Sequence, residues 1–262
     1  MKINLEGTLN TRDLGGQITK DGYTIKKNSL IRSDAPAKIT SNDIQILKDH
    51  GLALDIDLRT SSEAGEKPDP EIEGVTYLHL PVFREQAAGI TREEKAMKDI
   101  MQMMIEISEE KASQNMMNLY RYLIEDPYSR SQYEAFLNAV LDCDGAVLWH
   151  CTAGKDRAGF ATIIVEEALG LDRKIIYDNY MRTTENLKPE IERIRSLVQK
   201  QGLVMKDEAA LNVFFGTRPE FFETIYQTVE NNYGSFDQFI EEGLHFDDDK
   251  LERFKKKYLI GY

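Results

Sequence analysis

Ala146-Val147-Leu148-Trp149-His150-Cys151-Thr152-Ala153-Gly154-Lys155-Asp156-Arg157 opens as a short apolar run fit for a buried strand and ends where a helix begins. The helix reads from Ala158 to Leu169 and is closed by Gly170. Five residues separate Cys151 from Arg157, enough for the backbone to curl into a cup. At a helix N-terminus such a cup turns its amides inward, where the macrodipole favours an anion. Amide donors, the dipole, Lys155 and Arg157 all favour the thiolate form of Cys151. Arg157 adds a planar fork suited to two phosphoryl oxygens, and Gly154 keeps one wall of the cup free of a side chain. The arrangement suits a thiolate attacking phosphorus while amides and guanidinium hold the equatorial oxygens. It calls for no metal and no cofactor.

On the N-terminal side the chain reads as strands and turns. Asn10 to Gly16 is turn-rich, and Tyr23–Ile25 and Leu30–Arg32 read as short strands around a Lys27-Asn28 turn. Thr40 or Ser41 caps a helix whose apolar side carries Ile44, Ile46 and Leu47, with Gly51 past its end. Ala53–Leu58 alternates as a strand does, and Val75–Val82 is a second candidate. From about Thr91 to Leu141 the pattern is helical, broken at Asp126-Pro127. Beyond the central unit the expected elements are all helices: Arg173–Arg182, Pro189–Gln201, Pro219–Asn231, Phe236–Gly243 and Asp248–Tyr258. Strands first and helices later, with strand–loop–helix between them, predicts one α/β domain over residues 1–262.

Composition limits the partners. The 262 residues hold 33 Lys+Arg against 45 Asp+Glu, a net charge of −12. A pI near 4.9 argues against a general binder of nucleic acid, which needs a basic face. With 41% hydrophobic residues the chain has enough apolar side chains for a core. Two cysteines cannot build a disulfide framework, and no secretory leader or membrane-length apolar run is evident. These features predict a cytoplasmic protein without stable membrane insertion, with secretion by a signal-free route as the alternative; they leave the oligomeric state open. Six of the nine methionines lie between Met97 and Met117. They read as core packing, with a helical lid inserted over approximately residues 84–125 as the sharper alternative. Cys143 is expected to pack.

His150-Cys151-x5-Arg157 followed by Gly159 resembles the loop of the cysteine-dependent tyrosine phosphatases. HCTAGKDRAG is similar to the atypical bacterial and fungal branch, whose loop carries Lys and Asp before the Arg. NTRDLGG at Asn10–Gly16, DLRTSSE at Asp57–Glu63 and the Arg218–Leu244 segment resemble other parts of that branch, so the likeness runs from Asn10 to about Leu259. The resemblance implies a tyrosine-phosphatase-like domain with a central mixed sheet flanked by helices on both faces. It also implies a cysteinyl-phosphate mechanism, with Cys151 as nucleophile and Arg157 as phosphate clamp. Thr152, Ala153, Gly154, Lys155 and Asp156 would supply backbone amides. Asp156 would protonate the leaving oxygen and then activate water; Asp126, 25 residues before Cys151, is its rival. The family usually has Ser or Thr where Ala158 stands, which implies slower breakdown of the phosphoenzyme here.

Supporting residues are read more broadly. His150 is expected to orient the loop through backbone bonds. Lys155, inside the cup, is placed to touch a phosphate or a carboxylate. Arg59 is either a partner of Asp57, Glu63 or Asp13 or a substrate contact. Arg12 and Asp13 read as a pair bracing the loop. The expected substrate is a phosphotyrosine protein. A phosphoinositide or dual-specificity phosphatase and a phosphoprotein-binding pseudo-enzyme are the alternatives; a sulfur transferase and an arsenate reductase fit the outer motifs less well.

Overall fold

The strand Ala146–His150 is buried at all five residues and lies at the centre of a five-stranded sheet. The computed structural model describes residues 1–84, 106–200 and 202–262. In chain order the strands are β1 (Arg12–Asp13), β2 (Thr24–Ile25), β3 (Leu30–Ser33), β4 (Leu52–Asp57), β5 (Thr76–His79), β6 (Ala146–His150) and β7 (Leu259–Ile260). The main sheet runs β1-β3-β6-β4-β5, and β2 pairs with β7 apart from it. β1 is antiparallel to β3, while β3, β6, β4 and β5 are parallel. The register sets His150 beside both Ser33 and Asp57, so three strands end together at one edge. In an open parallel sheet that carboxyl edge is where sites form.

The helices are α1 (Ser41–Asp49), α2 (Ser61–Glu66), α3 (Glu109–Glu125), α4 (Pro127–Asp142), α5 (Arg157–Ala168), α6 (Arg173–Lys200), α7 (Ala209–Phe215), α8 (Pro219–Tyr233), α9 (Phe236–Gln238) and α10 (Asp248–Tyr258), with a π turn at Phe239–Gly243. Alternation along β6 separates two cores. Val147 and Trp149 join the large cluster beneath α4, α5 and α8, whereas Ala146 and Leu148 join a smaller one with Leu47 of α1. Helices therefore cover both faces of the sheet. α5 has almost no polar side: ten of its twelve residues are buried, which makes it the central helix.

Three expectations need correction. The helix expected to end at Arg182 and restart at Pro189 is one helix of 28 residues with Pro189 inside it. Ile176, Tyr180, Thr183, Leu187 and Ile191 form one buried stripe across the proline, and that continuous packing outweighs one missing backbone bond. The Val75–Val82 strand is shortened to Thr76–His79, ahead of Pro81. The turn-rich Asn10–Gly16 box contains β1. Half of the 84–125 segment expected as a lid, residues 85–105 with Met97, Met101 and Met104, lies outside the described residues. Its C-terminal part is α3, whose Ala112, Met116, Tyr120, Leu123 and Ile124 are in the large core.

Candidate active site

Cys151 follows the last residue of β6, and Arg157 is the first residue of α5, so a strand and a helix fix the two ends of the loop. Among the described residues, the backbone N–H groups of Thr152 through Asp156 meet no acceptor. Five consecutive unsatisfied donors at a helix N-terminus form a concentrated anion site. Cys151 is buried at 3% exposure and is a free thiol.

The loop is braced from behind by its carbonyls. Asn10 Nδ2 donates to the carbonyls of Ala153 and Gly154 at 3.2 and 3.1 Å, and Arg32 Nη2 donates to Gly154 at 2.6 Å. Ala35 N donates to the Thr152 carbonyl at 3.2 Å. Gly154 has φ +64°, and a Cβ there would sit 2.4 Å from the Ser33 carbonyl oxygen, so glycine is required on both counts. Arg12 and Asp13 do not pair with each other. Arg12 holds Asn10, Asn179 and Thr183, while Asp13 accepts from the amides of Gly15 and Asn28. Arg12 thus braces the loop through Asn10.

Arg157 is gripped by Glu63. Its Nη1 donates to Oε2 at 2.6 Å and its Nη2 to Oε1 at 2.9 Å, leaving Nε outside the pair. Thr152 Oγ1 donates to Glu63 Oε1 at 2.5 Å. Burial would raise the Glu63 pKa, but the hydrogen bonds from Arg157 and Thr152 outweigh it and hold it at about 2. The Arg157 ring neighbour is Phe83, 5.4 Å from guanidinium carbon to centroid. Glu63 was missed as a site residue, although its signal was present: Thr60-Ser61-Ser62-Glu63 is a capping box, and both of its reciprocal bonds form at the start of α2. That box follows β4, the neighbour of β6, which brings Glu63 to the loop.

Asp156 sits at the rim, with its side chain 22% exposed. Tyr120 Oη donates to its Oδ1 at 2.6 Å, and Tyr180 lies 2.8 Å behind, hydroxyl to hydroxyl. Burial raises the Tyr120 pKa well above that of a free tyrosine, and the negative Asp156 adds to the effect, so its hydroxyl remains a donor. Lys155 turns out of the cup. Its Nζ donates to the Phe214 carbonyl at 2.5 Å and lies 3.4 Å from Asp156 Oδ1, so it meets a carboxylate. Asp126 caps α4 by accepting from Ser129 N at 2.8 Å.

His150 and Arg59 lie on the far side of the loop. Arg59 donates through Nε and Nη2 to Asp57, through Nη2 to Asp69 at 2.7 Å and through Nη1 to the Lys67 carbonyl at 2.8 Å. Those contacts favour its structural role. His150 places Nδ1 3.3 Å from the Cys151 carbonyl, and faces Asp55, Asp57 and Asp69. Burial lowers its pKa, but the three carboxylates prevail and raise it to about 9.

A parallel strand thus delivers Cys-x5-Arg to the N-terminus of a buried helix, the arrangement expected of a phosphatase. The chain belongs to the tyrosine phosphatase family, whose model matches residues 3–260. It is similar to the triple specificity protein phosphatase PtpB of Mycobacterium tuberculosis, 26% identical over 91% of this chain and 92% of that one. A Cupriavidus necator protein provisionally named a tyrosine-protein phosphatase is 26% identical over 96% of this chain and 86% of its own length. A tyrosine-protein phosphatase of Nostoc commune is 29% identical over 60% of this chain and 48% of that one.

Proposed function

We propose that this phosphatase hydrolyses phosphotyrosine in proteins through a cysteinyl-phosphate intermediate. The observation that carries the reading is the run of five acceptor-free amides between Cys151 and the anchored fork of Arg157. In the first step Cys151 Sγ attacks phosphorus, the P–O ester bond breaks, and the Asp156 carboxyl gives its proton to the leaving oxygen. In the second, Asp156 accepts a proton from water, the water oxygen bonds to phosphorus, and the S–P bond breaks to release thiolate and phosphate. Tyr120 and Lys155 both approach Asp156 on Oδ1, which leaves Oδ2 to carry the proton. Arg157 and the amides of Thr152–Asp156 hold the phosphoryl oxygens while charge shifts in the transition state.

Lys155 bears on the substrate class. An extra cation in the cup would favour a polyanionic headgroup, but Lys155 is 2% exposed and held by carbonyls of α7 and by Asp156. That disposition favours a single phosphoryl group, and with it phosphoprotein over phosphoinositide. The test is phosphate release from phosphotyrosine peptide, phosphoserine peptide, soluble phosphoinositide and para-nitrophenyl phosphate. The expected order puts phosphotyrosine first, with all release abolished by Cys151→Ser. Faster release from phosphoinositide would move the substrate class, and binding without release would make the chain a pseudo-enzyme. Asp156→Asn should remove the basic limb of the pH–rate profile, whereas Asp126→Asn should retain it.

A further inference from the structure

Asp55 of β4, His150 of β6 and Asp69 of the segment after α2 converge behind the catalytic loop. One ligand atom from each lies within 4.8 Å of the other two. His150 Nε2 is 3.1 Å from Asp69 Oδ2 and 3.5 Å from Asp55 Oδ1. Asp69 Oδ2 lies at ion-pair distance from Nε2 but out of line for a well-directed hydrogen bond, and Nε2, Asp55 Oδ1 and Asp69 Oδ1 are all buried without a well-directed partner. Buried polar atoms are rarely left so, and three together at one point indicate a missing partner.

We propose that His150 Nε2, Asp55 and Asp69 form a binding site for a divalent cation, with Zn²⁺ the best match. The donor set is one imidazole nitrogen and two carboxylates, a combination zinc accepts. Ligand bonds of about 2.0–2.1 Å around a tetrahedron place neighbouring ligands about 3.4 Å apart, close to the two separations found here.

The surroundings of the three ligands have the features such sites need. His150 turns Nδ1 toward the Cys151 carbonyl at 3.3 Å, which selects the tautomer that frees Nε2. Asp69 Oδ2 is held by Arg59 Nη2 at 2.7 Å, so a ligand carboxylate is itself oriented. A cavity of about 620 Å³ is lined by Asp55 and Asp69 together with Pro68, Pro70 and Tyr77, so two of the three ligand residues border open space. Charge also agrees. Asp55, Asp57 and Asp69 face a single guanidinium, so the cluster favours a further positive charge at His150 Nε2, and a divalent ion supplies it in place of a proton. The ion takes no part in the phosphoryl transfer proposed above. It ties β4, β6 and the turn at Asp69 together directly behind Cys151, as a structural fastening of the loop's base.

The experiment uses full-length Cys151→Ser protein, so that the loop thiol cannot bind the metal, stripped by chelation. Zn²⁺ is titrated against a chromophoric chelator, and thermal melting is followed in parallel. One equivalent should bind and raise Tm, and both Asp55→Asn and Asp69→Asn should weaken binding by about tenfold or more. Asp156→Asn, at the front of the loop, should bind as the parent does. Zinc absorption spectroscopy of the loaded parent should give a nitrogen and oxygen shell containing an imidazole, a readout independent of whether the variants fold. Absence of one-equivalent binding, a sulfur ligand, or affinity unchanged in both Asn variants would overturn the site.

Discussion

Glu63 shows how much a single carboxylate determines at this site. Its two oxygens hold both terminal nitrogens of Arg157 and the hydroxyl of Thr152, so it aligns the fork and one loop residue together. Removing it leaves a guanidinium that is nearly buried and unpaired, a change that costs about 3–5 kcal/mol at comparable buried pairs. Glu63→Gln keeps the shape but loses the charge. It is expected to lower kcat/KM by about tenfold or more and to reduce Tm, measured by steady-state kinetics and melting. An unaltered kcat/KM would remove Glu63 from the positioning of Arg157. Ala158 makes the opposite case, a missing group. It is fully buried at the start of α5, where the resemblance implies the family's usual Ser or Thr. The wild type should therefore release a burst of the leaving alcohol followed by slower turnover. Ala158→Ser should shrink the burst and raise kcat, which rapid-mixing kinetics would record; a wild type without a burst would refute the role given to the hydroxyl.

At the level of elements, two helices begin with the same device, and only one of them serves the site. Thr40 with Asp43 caps α1, and Thr60 with Glu63 caps α2, each box making both reciprocal bonds. Replacing either threonine by alanine should cost about 1 kcal/mol of stability. Only Thr60→Ala should also lower kcat/KM, because only its partner carboxylate grips Arg157; equal activity losses in the two variants would refute that. The strand–loop–helix at residues 146–168 was legible because a buried apolar run, a spaced Cys and Arg, and an apolar helix are local signals. The link between Glu63 and Arg157 was not. It spans 94 positions and exists because β4 and β6 are neighbours, which no local period encodes. The continuation of α6 through Pro189 was hidden for a similar reason, since the buried stripe that holds it is completed by other elements. The acid cluster around His150 was visible only as strand alternation in Ala53–Leu58, with no hint that Asp69 would join it.

For the whole molecule, the balance of buried carboxyls sets how stability follows pH. Glu166 is fully buried beside Arg12 and Arg32, and desolvation raises its pKa to about 7 even though Asn179 and Arg32 pull the other way. Its folded value is above its unfolded value near 4.5, so the native state keeps a proton that the unfolded state loses. Stability therefore declines as pH rises from about 4.5 to about 7 and then levels off. The loss is about 3 kcal/mol, because each pH unit between the two values is worth about 1.36 kcal/mol. Burial raises Asp34 in the same direction. Glu63 has the opposite sign: its lowered pKa stabilises above about 4.5, and that contribution is lost as pH falls toward about 2. The two slopes meet near pH 4.5, close to the pI of 4.9, where repulsion among the excess acidic groups is also smallest. Urea midpoints should accordingly be higher at pH 5 than at pH 7.5. Glu166→Gln cannot ionise, so its decline over that interval should be smaller than the parent's by about 2 kcal/mol. Parallel curves for parent and variant would show that Glu166 is already ionised in the folded protein, stabilised by Arg12 and Arg32 as the anion.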